Sequence, residues 1–196
     1  MMGQTKISVK KICVIIGMCV IAVAAVLTFL WQWGIHSAES KAKECVQEID
    51  SLIPTPQSAI PEERKNNSMS ILSVDGTDFV GILEMSRYES TLPVCAEWGH
   101  IAKYPCKFSG SIYDGTLKIG ATSQKGQYDF YREISVGDTV AFTDVEGNRY
   151  TYTVTNLQYE KHADQMTLNR EKSALTLFIK NVYDFEYLIV SCNVAN

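Results

Sequence analysis

The sequence predicts an all-β exported domain held behind one apolar N-terminal helix. Three observations predict it. Residues 12–31 form a run of 20 without a charge. From Met69 onward, short segments rich in β-branched and aromatic residues follow one another. Turn-forming residues such as Glu146, Gly147 and Asn148 separate them. Many short strands at close spacing argue for a sandwich or barrel rather than an α/β fold.

At about 1.5 Å rise per residue, 20 helical residues match a hydrocarbon core of about 30 Å. Lys6, Lys10 and Lys11 precede the run, and no Lys or Arg follows before Lys41. The positive-inside rule then puts the N-terminus in the cytoplasm and the rest of the chain outside. Phe29, Trp31 and Trp33 stand where an outer aromatic belt belongs. A cleaved signal peptide would carry a shorter apolar region and an A-x-A-like site, which "WGIHSAES" is not. The reading is therefore a cytoplasmic tail over residues 1–11 and a transmembrane helix over 12–33.

All 22 acidic residues follow position 38, against 15 of the 18 basic ones, so the exported part carries a net −7. That balance does not suggest nucleic acid or an anionic lipid surface as a partner. Cys13 and Cys19 fall inside the span. Cys45, Cys95, Cys106 and Cys192 fall outside, where disulfides persist, and four cysteines allow three full pairings. There is no C-x-x-C, so a metal knuckle has no support, and nothing in the pattern implies a cofactor.

Directly after the span, Ile35, Ala38, Ala42, Cys45, Ile49 and Leu52 recur at spacings of three and four. This is a short juxtamembrane helix with a narrow apolar seam, stopped by Pro54. Residues 54–68 are Pro-rich and polar and read as an extended tether, so residues 34–68 form helix plus linker. Residues 69–196 form the β-domain. Strands are expected over 78–85 and 91–98, on either side of the turn-like "SRYES". The clearest hairpin is "DTVAFTDV-EGN-RYTYTVTNLQYE", with Val140 and Phe142 alternating in one arm and Tyr150, Tyr152 and Val154 in the other. "ALTLFIKNV" and "YLIVSCNV" are two more strands. Residues 162–173 hold a possible helical turn.

Several ordered landmarks from Gly81 to Val194 resemble sortases, the membrane-anchored cysteine transpeptidases of Gram-positive bacteria. "VGILEMSRYESTLPV" looks like their first two strands. "YPCKFSGS" looks like a P-C-x-[YF]-S-G-S segment of some clostridial members. "LKIGATSQKGQYDFYREISVGDTVAFTDVEGNRYTYTV" looks like the segment that carries "AAH" and then "GD.V.FTD..G..Y.Y.V". "SALTLFIKNVYDFEYLIVSCNV" looks like the last two strands, the first of which ends in T-[LI]-x-T-C in the family. The resemblance implies an eight-stranded β-barrel behind one N-in helix.

The resemblance also implies where a catalytic site would lie, and all three positions are substituted. Thr122 stands for the histidine, Lys180 for the nucleophilic cysteine, and Tyr187 for the arginine that stabilises the oxyanion. Acyl transfer of that kind needs a thiolate, a proton donor for the leaving amine and a cation for developing charge. The expectation is thus a pseudoenzyme that binds peptide in its groove, or acts as a scaffold beside an active sortase or a pilin. The alternative is a transpeptidase with Lys180- or Cys95-based chemistry. Lys180 would serve as an amine nucleophile, or simply fill the cleft beside Asp184 or Glu186. Cys95 and His100 have the composition of a thiol pair, or a core cysteine and a loop histidine. His36 and His162 read as solvated. Cys106 and Cys192 match cysteines of the clostridial members, which makes a disulfide between them one expectation and two buried free thiols the other.

Overall fold

The computed structural model describes residues 9–62, 67–124, 127–161, 172–184 and 186–195, and their side chains except at 9–13 and 35–39. The chain divides into two compact units, Met1–Ser37 and Ala38–Asn196. The span and the juxtamembrane helix, expected as separate segments, follow one another as a single helix α1, Val9–Leu52. No Pro or Gly pair interrupts it before Pro54. In the first unit, Val14–Gly34 has a mean hydropathy of 2.7 and is long and apolar enough to cross a membrane. Every side chain from 14 to 34 is exposed.

In the second unit, the last turns of α1 bury Ala42 and Ile49, with Cys45 and Val46 half-buried. The seam shifts at its end, where Ile53 is buried and Leu52 is 56% exposed. The strands are β1 Gln57–Ser58, β2 Leu72–Val74, β3 Thr77–Met85, β4 Ser90–Cys95, β5 Cys106–Ser109, β6 Leu117–Thr122, β7 Thr139–Asp144, β8 Asn148–Glu160, β9 Leu175–Lys180 and β10 Tyr187–Val194. Eight of them close a barrel in the order β3, β4, β5, β6, β9, β10, β8, β7, with β7 returning to β3. Closure removes the unpaired sheet edges on which strands of separate chains aggregate. Two joins are parallel, β4–β5 and β6–β9; the others are antiparallel.

The stretch 54–68, read as an extended tether, does more than link: within it, β1 adds in parallel to β8 through Gln57↔Asn148 and Ser58↔Arg149. The Pro54 carbonyl lies 2.7 Å from where a Cβ on Gly147 would stand, and Gly147 has φ +83. A side chain at 147 would lift this strand off the barrel. The β7–β8 hairpin forms as its residues predict. The Asp144 carboxylate accepts the N–H groups of Glu146 and Asn148 at 3.0 and 2.9 Å. The possible helical turn over 162–173 lies almost wholly outside the described residues.

Alternation fills the interior. Leu117, Ile119 and Ala121 of β6, Leu175, Leu177 and Ile179 of β9, and Leu188, Val190 and Cys192 of β10 point into one core with Phe142, Tyr152 and Val154. A second, smaller cluster joins α1 to the outside of the barrel: Ile49 and Ile53 against Val74, Phe79, Ile82, Cys95 and Cys106. Asp138, just before β7, ties the turn after β3 to the ring. It accepts hydrogen bonds from Arg87 (2.6 Å), the Tyr88 hydroxyl (2.5 Å) and the Ser135 N–H (2.7 Å). Burial raises the Asp138 carboxyl, but the hydrogen bonds from Tyr88, Arg87 and Ser135 outweigh it and hold the group below its ordinary value.

A depressed folded pKa gives stability that is present above the unfolded value and lost as pH falls through the folded one. Asp138→Asn leaves the same shape without the charge. We expect it to lower stability at neutral pH by about 1–3 kcal/mol, and to flatten the loss of stability below about pH 4. Denaturant titrations of both proteins across that range check this.

Candidate functional site

Thr122, Lys180 and Tyr187 come together. β6 and β9 run parallel over their full six pairs, from Leu117↔Leu175 to Thr122↔Lys180. β9 then pairs antiparallel with β10 from Tyr187↔Lys180. Thr122, Lys180 and Tyr187 are therefore successive neighbours in one row across three strands, at one end of the barrel. Neighbouring strands lie about 4.8 Å apart, so such a row is within reach of a single small substrate group.

Each side chain in the row is committed to a contact. The Thr122 hydroxyl donates to Gln127 Oε1 at 2.9 Å, and the Thr122 N–H donates to the same oxygen at 2.8 Å. Buried Gln127 donates onward from Nε2 to the Ile101 carbonyl at 3.2 Å, joining the β6 end to the β4–β5 connection. Lys180 is exposed, and its Nζ lies 6.0 Å from the centre of the Tyr187 ring, within cation–π range. Tyr187 is half-buried.

Behind the row, Ser123 N–H donates to the Lys180 carbonyl at 3.0 Å, extending the β6–β9 join by one step. Asn181, almost wholly buried, accepts the Tyr183 N–H at 3.1 Å in an Asx turn. Sequence reasoning missed Gln127, Ser123 and Asn181. Asn181 had a signal, since N-V-Y-D after a strand is turn-forming. Gln127 had none, because its partner Ile101 is distant in sequence.

Beside the row lies an aromatic cluster. By the two-residue period of a strand, Gly120 and Phe178 share the outer face with Thr122 and Lys180, and they are register partners. Trp98, from the turn after β4, stacks on Phe178 with ring centres 5.6 Å apart. Phe108 of β5 packs edge-on against both at 5.2 Å. Gly120 lies beneath, and a Cβ there would run into the Phe178 and Trp98 rings. Trp98 remains 41% exposed. Two clefts beside Ile60 and Tyr113 lie elsewhere and are not lined by any of the three row residues.

The cysteines do not complete a thiol site. Cys95 is fully buried at the end of β4, and its thiol is pushed far up, first by its hydrogen bond with Cys106 and then by burial. A thiol held in its neutral form does not act as a nucleophile. His100 is half-buried in the turn after β4, where its carbonyl accepts the Lys103 and Tyr104 N–H groups. The Cys106–Cys192 bridge is not formed. Both are free thiols, on β5 and β10, three strand steps apart around the ring and in different apolar clusters. Disulfide geometry needs neighbouring Cα atoms about 4.4–6.8 Å apart. The side chains of His36 and His162 lie outside those described. Among the described residues, no group of three or more His, Cys, Asp or Glu forms a metal-ligating cluster.

A barrel of eight strands, closed through two parallel joins and with its marked residues at one strand end, defines the class. The comparisons agree on the fold. Sortase C1 from Streptococcus agalactiae superposes with a TM-score of 0.51 at 15% identity, over 63% of this chain and 71% of that one. Clostridium perfringens sortase C, solved with the C-terminal cell wall sorting motif, gives 0.51 at 16% identity, over 61% and 72%. Listeria monocytogenes sortase A gives 0.50 at 16% identity, over 60% and 88%. No family model matches the chain, and no curated protein matches it. The fold is sortase-like.

If the aromatic cluster rests on the bare surface of Gly120, then Gly120→Ala must displace it. We expect the variant to fold, to lose about 1–3 kcal/mol from overpacking, and to shift Trp98 emission to the red as the indole moves toward water. A Trp98→Phe background subtracts Trp31 and Trp33. Unchanged Trp98 emission would refute the packing described.

Proposed function

We propose that this chain is a single-pass, N-in membrane protein of Gram-positive cells whose exported sortase-like barrel binds peptide and does not transfer it. Cytoplasmic lysines before an exposed 21-residue apolar stretch support the anchor. The observation that carries the rest is the row Thr122, Lys180, Tyr187, which aligns in register beside the exposed edge of Trp98. The row carries a hydroxyl, an amine and a phenol. It supplies no thiolate to attack an amide and no imidazole to protonate a leaving amine. The hydroxyl is already engaged by Gln127.

The surface beside the row still offers what an extended peptide uses: an exposed indole edge for a side chain and polar groups at one strand end for orientation. A sorting-signal peptide fits that description. It is the ligand class with which the similarly folded Clostridium perfringens enzyme was solved. A pilin, or an active sortase working beside this protein, is the partner the reading favours at the cell surface. The second reading is lysine-based transfer, favoured by the exposed amine of Lys180 at the nucleophile's position.

One set of measurements separates the two readings. The full chain in detergent is mixed with fluorophore-labelled LPxTG-type peptides, with and without a glycine or lysine acceptor, while peptide anisotropy and product mass are followed. We expect saturable binding that Trp98→Ala weakens roughly tenfold, as loss of an aromatic anchor does, and no cleavage. Turnover abolished by Lys180→Ala but not by Cys95→Ala would replace binding with lysine-based transfer. Neither binding nor turnover would refute the peptide reading.

A further inference from the structure

The barrel has one thin seam. β4 and β5 are joined by a single register pair, Cys95↔Cys106, whereas β6 and β9 share six. One further backbone bond, from Cys95 N–H to the Pro105 carbonyl at 2.8 Å, supports the seam. Both cysteines at this join are fully buried. Their side chains stand on the same outer face, in the small cluster that Ile49 of α1 and Ile53 just beyond it cover. The Cys106 thiol donates to the Tyr104 carbonyl at 3.3 Å. Neighbouring strands about 4.8 Å apart fall within the Cα separation of about 4.4–6.8 Å that a disulfide spans.

We propose that Cys95 and Cys106 form a disulfide in the oxidised protein, a covalent staple across the weakest join of the barrel. The two thiols give up two electrons and two protons to an external disulfide-bearing oxidant. One cysteine of the pair attacks one sulfur of that oxidant and releases its first thiol. The other then attacks that cysteine in the mixed disulfide and releases the second. The oxidant leaves as two thiols carrying both protons. Because α1 covers the pair, exchange belongs to the folding chain or to an opened state, and the finished bond is shielded.

Among the described residues, Cys45 of α1 also packs against this cluster, but only Cys95 and Cys106 are register partners. The hydrogen bond from Cys95, aided by the His100 backbone, holds Cys106 below the ordinary thiol value against the effect of burial. Burial pushes Cys45 up to about 11 and Cys192 up to about 12. Exchange runs through the thiolate, and in the opened chain, where these packed-state shifts are relieved, either cysteine of the pair can enter. Cys192 lies in the interior core, away from this cluster.

The test needs no assumption about compartment. The full chain in detergent is incubated with oxidised glutathione at the edge of its unfolding transition, returned to native conditions, blocked with iodoacetamide and digested with trypsin. Cleavage after Arg87, Lys103 and Lys107 puts the two cysteines on separate peptides, residues 88–103 and 104–107. We expect these two peptides joined at two hydrogens less than their summed mass. We also expect a midpoint of thermal unfolding raised by roughly 5–10 °C, reversed by reductant, as closure of a loop of this length gives. Cys45→Ala/Cys192→Ala should keep both effects, and Cys95→Ala should lose both. Recovery of both peptides alkylated, or of either joined to Cys45 or Cys192, would overturn the proposal.

Discussion

The parallel join of β6 to β9 is the constraint on which the site depends. Six consecutive register pairs fix one strand against the other along its whole length. A slip of one residue would turn Ile119, Leu177 and Ile179 out of the core and bring Gly120 and Phe178 in. With interior packing setting the register, Thr122 has no choice but to lie beside Lys180. The antiparallel turn to β10 then sets Tyr187 beside Lys180 in the same way. The Gly120–Phe178 contact, the Trp98 stack and the Ser123–Lys180 bond all follow from that register.

The side chains of the row make structural contacts. Thr122 works with Gln127 to tie the end of β6 to the β4–β5 connection, and Lys180 lies against the Tyr187 ring. A fold fixes where a site can lie, while the side chains at that site fix what it does.

The strands were legible because apolar alternation and turn residues mark them locally. The β7–β8 hairpin and the β9 and β10 segments needed nothing beyond residues 139–160 and 175–194. The row was legible only through a family resemblance, since Thr122 and Lys180 are 58 positions apart and no spacing rule links them. Three things were not legible. The pairing of β1 with β8 turns on one glycine that lets Pro54 approach. The Gln127 clamp depends on a carbonyl at Ile101 that only the fold brings near. The Cys95–Cys106 neighbourhood had no signal because β4 and β5 meet in parallel at a single pair, which leaves no pattern in sequence.

The central claim is that register, and not residue spacing, places these three side chains as one unit. Its most direct test is the reactivity of the thiol introduced by Lys180→Cys, measured with a thiol reagent near neutral pH. Adding Thr122→His and Tyr187→Arg sets two cationic partners on the flanking strands, and a thiol beside such groups ionises more readily. The account predicts that the triple variant reacts at least about tenfold faster than Lys180→Cys alone, equivalent to a fall of about one pKa unit. Equal rates in the two variants would contradict it, because partners that do not change the thiol are not its neighbours.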